Sequence, residues 1–191
     1  MNKLIFATNN KNKVEEIRKV IGNRFEIITL EEAGILIDIP EPHNTIEENA
    51  DEKSNFIYTL TQQNCFGEDT GLEIEALNNE PGVMSARYAG EEKSHEKNIE
   101  KVLLKLKGIK NRNAQFKTII SLILNGKQYR FEGLCKGTII EMPRGENGFG
   151  YDPIFIPDRS DKTFAEMDLT EKSIFSHRRK ATDQLISFLN K

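Results

Sequence analysis

The sequence predicts a mixed α/β fold, and three observations carry that expectation. The first 30 residues read strand, loop, helix, strand; a Thr45/Glu48 capping signal opens a second helix; and Asn125-Gly126 joins two long β-rich stretches. An Asn-Gly dipeptide tolerates the positive φ angles of a type I′ turn, so those stretches form a hairpin, and antiparallel pairing beside a βαβ-like opening makes the sheet mixed.

Taken in order, residues 3–8 are a short apolar run of β type, broken by Asn9-Asn10 before Val14, Ile17 and Ile21 set a helical period. Gly22-Asn23 stops that helix, and residues 25–30 read as a second buried strand. After a loop with Pro40 and Pro42, the capping box heads a helix running to about Gln62, whose acidic first turn suits the helix dipole. Cys65-Phe66 leads into Gly67-Glu68-Asp69-Thr70-Gly71, which reads as an acidic turn between two strand segments, the second holding Leu72, Ile74 and Ala76. Pro81-Gly82 opens a loop to Gly90, and Ile99, Val102, Leu103 and Leu106 mark a helix ended by Gly108. The hairpin strands are residues 115–124 and 128–140. Glycine then recurs at 145, 148 and 150, with Phe149 and Tyr151 between, and a last helix carries Ala181, Leu185, Phe188 and Leu189.

A chain of 191 residues without repeat, low-complexity tract or linker is expected to be a single domain over 1–191. Hydrophobic residues at 37% against 30% charged supply a core and exclude a disordered chain. The longest apolar stretch, residues 119–124, is far short of the roughly 18 to 20 needed to cross a bilayer, so no membrane partner is expected. The start of the chain lacks a signal h-region, which points to the cytoplasm. The 27 basic and 30 acidic residues leave a net charge of −3, without the basic footprint of a nucleic-acid binder. Cys65 and Cys135 have no CxxC spacing and read as buried, reduced thiols.

Four places hold residues suited to chemistry. Thr8-Asn9-Asn10-Lys11-Asn12-Lys13 joins a strand to a helix, where unpaired backbone N–H groups and the Lys13 ammonium favour an anion; an ordinary polar connection has the same composition. Asp69, with Glu68 beside it and Glu41 and Glu48 upstream, offers oxygen ligands for a hard divalent cation, although the cap already occupies Glu48. Gly148-Phe149-Gly150-Tyr151-Asp152 combines two aromatic faces with a carboxylate, as a planar base requires, and equally fits a tight turn with its rings in the core. Lys172 and Ser176-His177-Arg178 gather donors near the start of the last helix; the Ser-His dipeptide is not a catalytic triad.

Together with Glu48-Asn49-Ala50, Pro81-Gly82 and Ser85-Ala86-Arg87-Tyr88-Ala89-Gly90, these motifs, in this order and spacing, closely resemble the inosine triphosphate pyrophosphatase family nearly end to end. The resemblance implies an elongated mixed β-sheet flanked by helices with a nucleotide cleft, usually as a homodimer. It implies hydrolysis of a small-molecule substrate, the non-standard purine nucleoside triphosphates ITP, dITP and XTP, to monophosphate and pyrophosphate with Mg²⁺. Carried over residue by residue, Thr8, Asn9, Asn10 and Lys13 would bind the triphosphate, Asp69 the metal and the attacking water, Glu41 the metal, and Thr70 a phosphate. Phe149, Gly150, Tyr151 and Asp152 would form the base platform, with Lys172, His177 and Arg178 completing base and phosphate recognition. Asn9, Glu68 and Thr70 depart from a commoner glycine, aspartate and serine: Asn tolerates αL and Thr keeps the hydroxyl, whereas Glu68 is one methylene longer. Two alternatives share this apparatus, a nucleotide-binding regulator without hydrolysis and a pyrophosphatase for modified pyrimidine triphosphates.

Overall fold

Alternation along the first strand, β1 (Asn2–Phe6), puts Leu4 and Phe6 on one face and Ile5 on the other, and both faces are covered. The computed structural model describes residues 2–21 and 25–190, so the helix stop read at Gly22-Asn23 lies outside the described residues. The chain continues as α1 (Lys11–Ile21), β2 (Phe25–Thr29), α2 (Ile46–Thr61), β3 (Cys65–Ile74), β4 (Pro81–Gly82), α3 (His95–Lys105), β5 (Asn113–Leu124), β6 (Lys127–Ile139), β7 (Phe155–Pro157), α4 (Leu169–Phe175) and α5 (His177–Leu189). The strand order is β2-β1-β3-β5-β6-β7, with β4 also pairing with β3. β1 runs parallel to β2 (Leu4↔Ile27) and to β3 (Phe6↔Phe66), whereas β4 on β3 and β7 on β6 are antiparallel, so the sheet is mixed and flanked by helices, as expected.

The hairpin turn has φ of 52° at Asn125 and 76° at Gly126, the two positive angles of the type I′ turn. At the head of α2 the Thr45 hydroxyl accepts from the Glu48 N–H at 3.2 Å and donates to Glu48 Oε2 at 2.8 Å, so the carboxylate meets the hydroxyl in a variant of the capping box. One expectation is corrected. The acidic turn at residues 67–71 is instead part of one ten-residue strand, β3, with Glu68 and Asp69 buried inside it. Buried carboxylates are costly unless paired, and cationic partners described below meet both. The two-residue strand β4 and the seven-residue helix α4 are too short to give a periodic signal, but Asp168 and Glu171 form a complete capping box at the head of α4.

The chain divides into two compact units, Met1–Asp69 with Thr118–Gly133 and Arg178–Lys191, and Thr70–Lys117 with Leu134–His177. In the first, Leu4, Phe6, Phe66, Ile120 and Leu122 pack with α1 (Val14, Ile17) and α5 (Ala181, Leu185), and Phe6 stacks on Phe66 at 4.3 Å. On the opposite side of β1, Ile5, Cys65 and Ile123 pack with Ile57 of α2. The core of the second unit gathers Leu72, Ile74, Val102, Leu106, Phe116, Ile139, Phe155 and Phe164. Cys65 and Cys135 are both buried thiols outside any disulfide, and burial pushes the Cys65 thiol up to about 12, which leaves it protonated and unreactive. Among the described residues no helix is long and apolar enough to cross a membrane.

Candidate active site

The β1–α1 loop is built by its own side chains. Thr8 Oγ1 accepts from the Asn10 N–H at 3.2 Å, and Asn10 Oδ1 accepts from the N–H groups of Asn12 (3.0 Å) and Lys13 (3.2 Å), which makes Asn10 the N-cap of α1. Asn9 Nδ2 donates to Asp38 Oδ1 at 3.3 Å. Thr8, Asn9, Asn10 and Lys13 therefore share one ordered turn at the positive end of a helix.

Beyond the Phe6↔Phe66 register, β3 brings Glu68 and Asp69 to the carboxyl end of the parallel pair, beside this loop. Gly67 lets α2 come close: a Cβ there would meet Ala50 O at 2.5 Å and Lys53 Cβ at 2.7 Å. Through that approach Lys53 lays its ammonium 2.7 Å from Asp69 Oδ1, 2.5 Å from Glu41 Oε1 and 3.2 Å from the Glu68 carbonyl. Glu68 faces the other way. Arg178 grips it with Nε and Nη2 at 3.0–3.1 Å, Lys13 Nζ stands 3.2 Å from its Oε1, and Arg178 Nη1 also donates to Glu16. Asp69, Glu41, Glu68 and Glu16 thus meet the three cations Lys53, Lys13 and Arg178.

Burial sets the electrostatics. Desolvation holds the Asp69 carboxyl above the ordinary aspartate range against the pull of Lys53 and Lys13. Desolvation also works against the Lys53 ammonium, yet Asp69 and Glu41 outweigh it and keep Lys53 above the usual lysine value. For Lys13 desolvation wins over the attraction of Glu68, and its affinity for a proton falls. Asp69 and Glu41 are the two carboxylates that meet the Lys53 ammonium, with the Glu68 carbonyl as its third acceptor; among the described residues no group of three or more His, Cys, Asp or Glu forms a ready metal cage. Two carboxylates suit magnesium, which usually takes one or two from protein and the rest from phosphate and water.

The second unit assembles another polar group. Asp152 Oδ2 accepts from the Phe149 N–H at 2.9 Å and from Lys172 Nζ at 2.8 Å, and both Asp152 and Lys172 are buried. Gly148, at φ +76°, makes room for that carboxylate, since any Cβ would run into it. The Lys172 ammonium lies 5.1 Å from the centre of the half-buried Phe149 ring, and the Gly150 N–H donates to His95 Nδ1 at 3.3 Å. His177 stacks on Phe116 at 4.7 Å. Tyr151 differs from its neighbours: its ring sits in the apolar core, its hydroxyl donates to Ser85 O, and burial raises the phenol further.

The sites read from sequence thus fall into two groups, each assembled within one unit. Lys13, Glu41, Asp69 and the loop Thr8-Asn9-Asn10 come together in the first, where Thr70 follows Asp69 along β3 as the first residue of the other unit. Phe149, Gly150, Asp152 and Lys172 come together in the second, and the Phe164 ring lies 5.4 Å from the Lys172 ammonium and 6.3 Å from the His177 ring. Arg178 is 2% exposed and holds Glu68 and Glu16, so its guanidinium frames the first group. Lys53 and Glu16 escaped sequence reasoning. The signal for Lys53 was present, because Ile46, Asn49, Ala50, Lys53, Ser54 and Ile57 form the buried stripe of α2 at helical spacing, and a lysine in such a stripe needs partners.

Fold and site define a class: mixed α/β proteins with a buried acid–ammonium cluster at the carboxyl ends of parallel strands, next to a strand-to-helix loop capped by its own side chains. Within it, the chain belongs to the Ham1 family, whose profile matches residues 4–188. It is 52% identical over 187 residues to a dITP/XTP pyrophosphatase of Flavobacterium johnsoniae, covering 98% of this chain and 97% of that protein. It is 42% identical to the dITP/XTP pyrophosphatase of Bacillus subtilis, with 99% and 98% covered. The structure of the Staphylococcus aureus Ham1 protein superposes with a TM-score of 0.91 at 42% identity, over 99% of this chain and 98% of that one.

Proposed function

We propose that this protein hydrolyses the non-standard purine nucleoside triphosphates ITP, dITP and XTP to the monophosphate and pyrophosphate. The observation that carries the reading is Lys53 bridging Asp69 and Glu41 in a buried cluster beside the capped loop of α1. The dITP/XTP pyrophosphatase relatives match end to end and support the same activity.

Lys13 and the loop N–H groups meet the charge of the phosphate chain. Asp69 takes a proton from the water that attacks the α-phosphorus; the bond to the bridging oxygen breaks, and pyrophosphate leaves with that oxygen. Lys53, fixed by three acceptors, holds Asp69 in place beside Glu41. Asp69 and Glu41 would hold Mg²⁺, which when bound offsets the charge of the triphosphate and its leaving group. In the second unit, the Phe149 face stacks on the purine, and the donors of Lys172 and His177 favour a C6 carbonyl over the amine of adenine. An unpaired buried donor costs about 1 to 3 kcal/mol, which disfavours ATP by roughly 5- to 150-fold.

Pyrophosphate release with Mg²⁺ from ITP, XTP, dUTP, ATP and GTP tests the reading: ITP and XTP should be turned over well and ATP poorly. Preference for dUTP would favour the modified-pyrimidine alternative, and binding without release the regulator. A homodimer and a cytoplasmic location belong to the same reading. Size-exclusion chromatography with light scattering checks the first, and fractionation of the source cells the second.

Lys13 supplies a pH prediction. It holds phosphate only while protonated, and burial lowers its proton affinity below that of an ordinary lysine. The KM for ITP should therefore rise as pH increases through values below the usual lysine range, and Lys13→Arg, which stays charged, should remove that rise. A parental KM that stays flat to about pH 10.4, the ordinary lysine value, would contradict the assignment.

A further inference from the structure

We propose that Asn49 is a positioning residue for Glu41, acting through the backbone of His43. The inference depends on the proposed function only in taking Glu41 as a working carboxylate.

Asn49 is fully buried on the inward stripe of α2, one turn before Lys53. Its Oδ1 accepts from the His43 N–H at 3.0 Å and its Nδ2 donates to the His43 carbonyl at 3.1 Å. One side-chain amide therefore closes a two-bond ring on a single loop residue, as paired strands do with their backbones. Its own backbone N–H is spent on Thr45 O, in the regular helical pattern. Both polar ends of a buried side chain thus go to the loop, six residues upstream.

From His43 back to Glu41 the chain has little freedom left. Pro42 has its φ fixed near −65° by the ring, and the α region is disfavoured for the residue before a proline, which restricts Glu41. Pro40 restricts the peptide on the other side. Once Asn49 pins His43, these restraints carry Glu41 to a point where its Oε1 lies 2.5 Å from Lys53 Nζ. The His43 ring makes only a partly exposed 3.4 Å contact with Glu52, which solvent screens, so the amide is the firmer anchor. The same face of α2 thereby sets both the carboxylate and the ammonium that faces it.

The test is a double-mutant cycle on ITP hydrolysis with Glu41→Ala, Asn49→Ala and the pair, reading kcat, KM and the thermal midpoint. Asn49→Ala should lower kcat about tenfold, in line with displacement of a working group by a fraction of an ångström, and change KM by less than about twofold. In the Glu41→Ala background it should cost nothing further, because the group it positions is gone. A double variant whose loss equals the product of the two single losses overturns the inference, as does Asn49→Ala with parental kcat. Should Asn49→Ala fail to fold, Asn49→Asp enters the same cycle: it keeps the volume and the acceptor for His43 N–H, but sets an oxygen against the His43 carbonyl. Parental turnover by Glu41→Ala would remove both this inference and the place of Glu41 in the proposed function. A crippled Glu41→Ala with additive losses removes this inference alone.

Discussion

Asp69→Asn is expected to fold as the parent does and to release pyrophosphate about 10²- to 10⁴-fold more slowly, the range for loss of a positioned proton acceptor. Asparagine has the same shape and keeps an oxygen to accept from Lys53 Nζ, now 2.7 Å from Asp69 Oδ1. Lys53 also keeps Glu41 and the Glu68 carbonyl, so the ammonium is not stranded. What disappears is the negative charge and the capacity to take a proton from water, and burial already holds the Asp69 carboxyl above the ordinary range, as suits a base. Steady-state kinetics on ITP beside a thermal melt checks both halves. Turnover within about threefold of the parent, well under 1 kcal/mol of barrier, would remove Asp69 from the reaction.

Arg178→Leu should cost about 3 to 5 kcal/mol of stability, the range for deleting one partner of a buried ion pair. The guanidinium is 2% exposed, forks onto Glu68 and also reaches Glu16, and leucine leaves both carboxylates without it. At roughly 2 to 4 °C per kcal/mol for a chain of this size, the thermal midpoint should fall by about 6 to 20 °C. Arg178→Lys should restore only part of this, since an ammonium cannot form the two-pronged contact. A midpoint within about 2 °C of the parent would mean that Glu68 is neutralised by Lys13 alone.

Much of the architecture was legible because local signals and tertiary structure agree. The βαβ opening, the Thr45 cap and the Asn125-Gly126 hairpin each follow from a handful of neighbouring residues. Residues 67–71 were misread because glycine and adjacent acids signal a turn locally, and only partners far along the chain make them a strand. Candidate residues on sequence motifs were found, and so were Asp152 and Lys172. Lys53, Glu16 and the inward placement of Tyr151 were not, because each depends on which face of an element is buried.

The first unit is assembled from three separated stretches, and its charged cluster closes over the longest separations: Arg178 meets Glu68 across 110 residues and Glu16 across 162. A ribosome adds roughly 5 to 20 residues per second, so Glu68, which already has Lys13 within reach, and Glu16 wait roughly 5 to 30 seconds after their synthesis for the guanidinium that joins them. Until Arg178–Lys191 emerges, the nascent chain holds β1, α1 and β3 without α5, which covers one of their apolar faces. Completion of this unit therefore waits for α5, its last described helix.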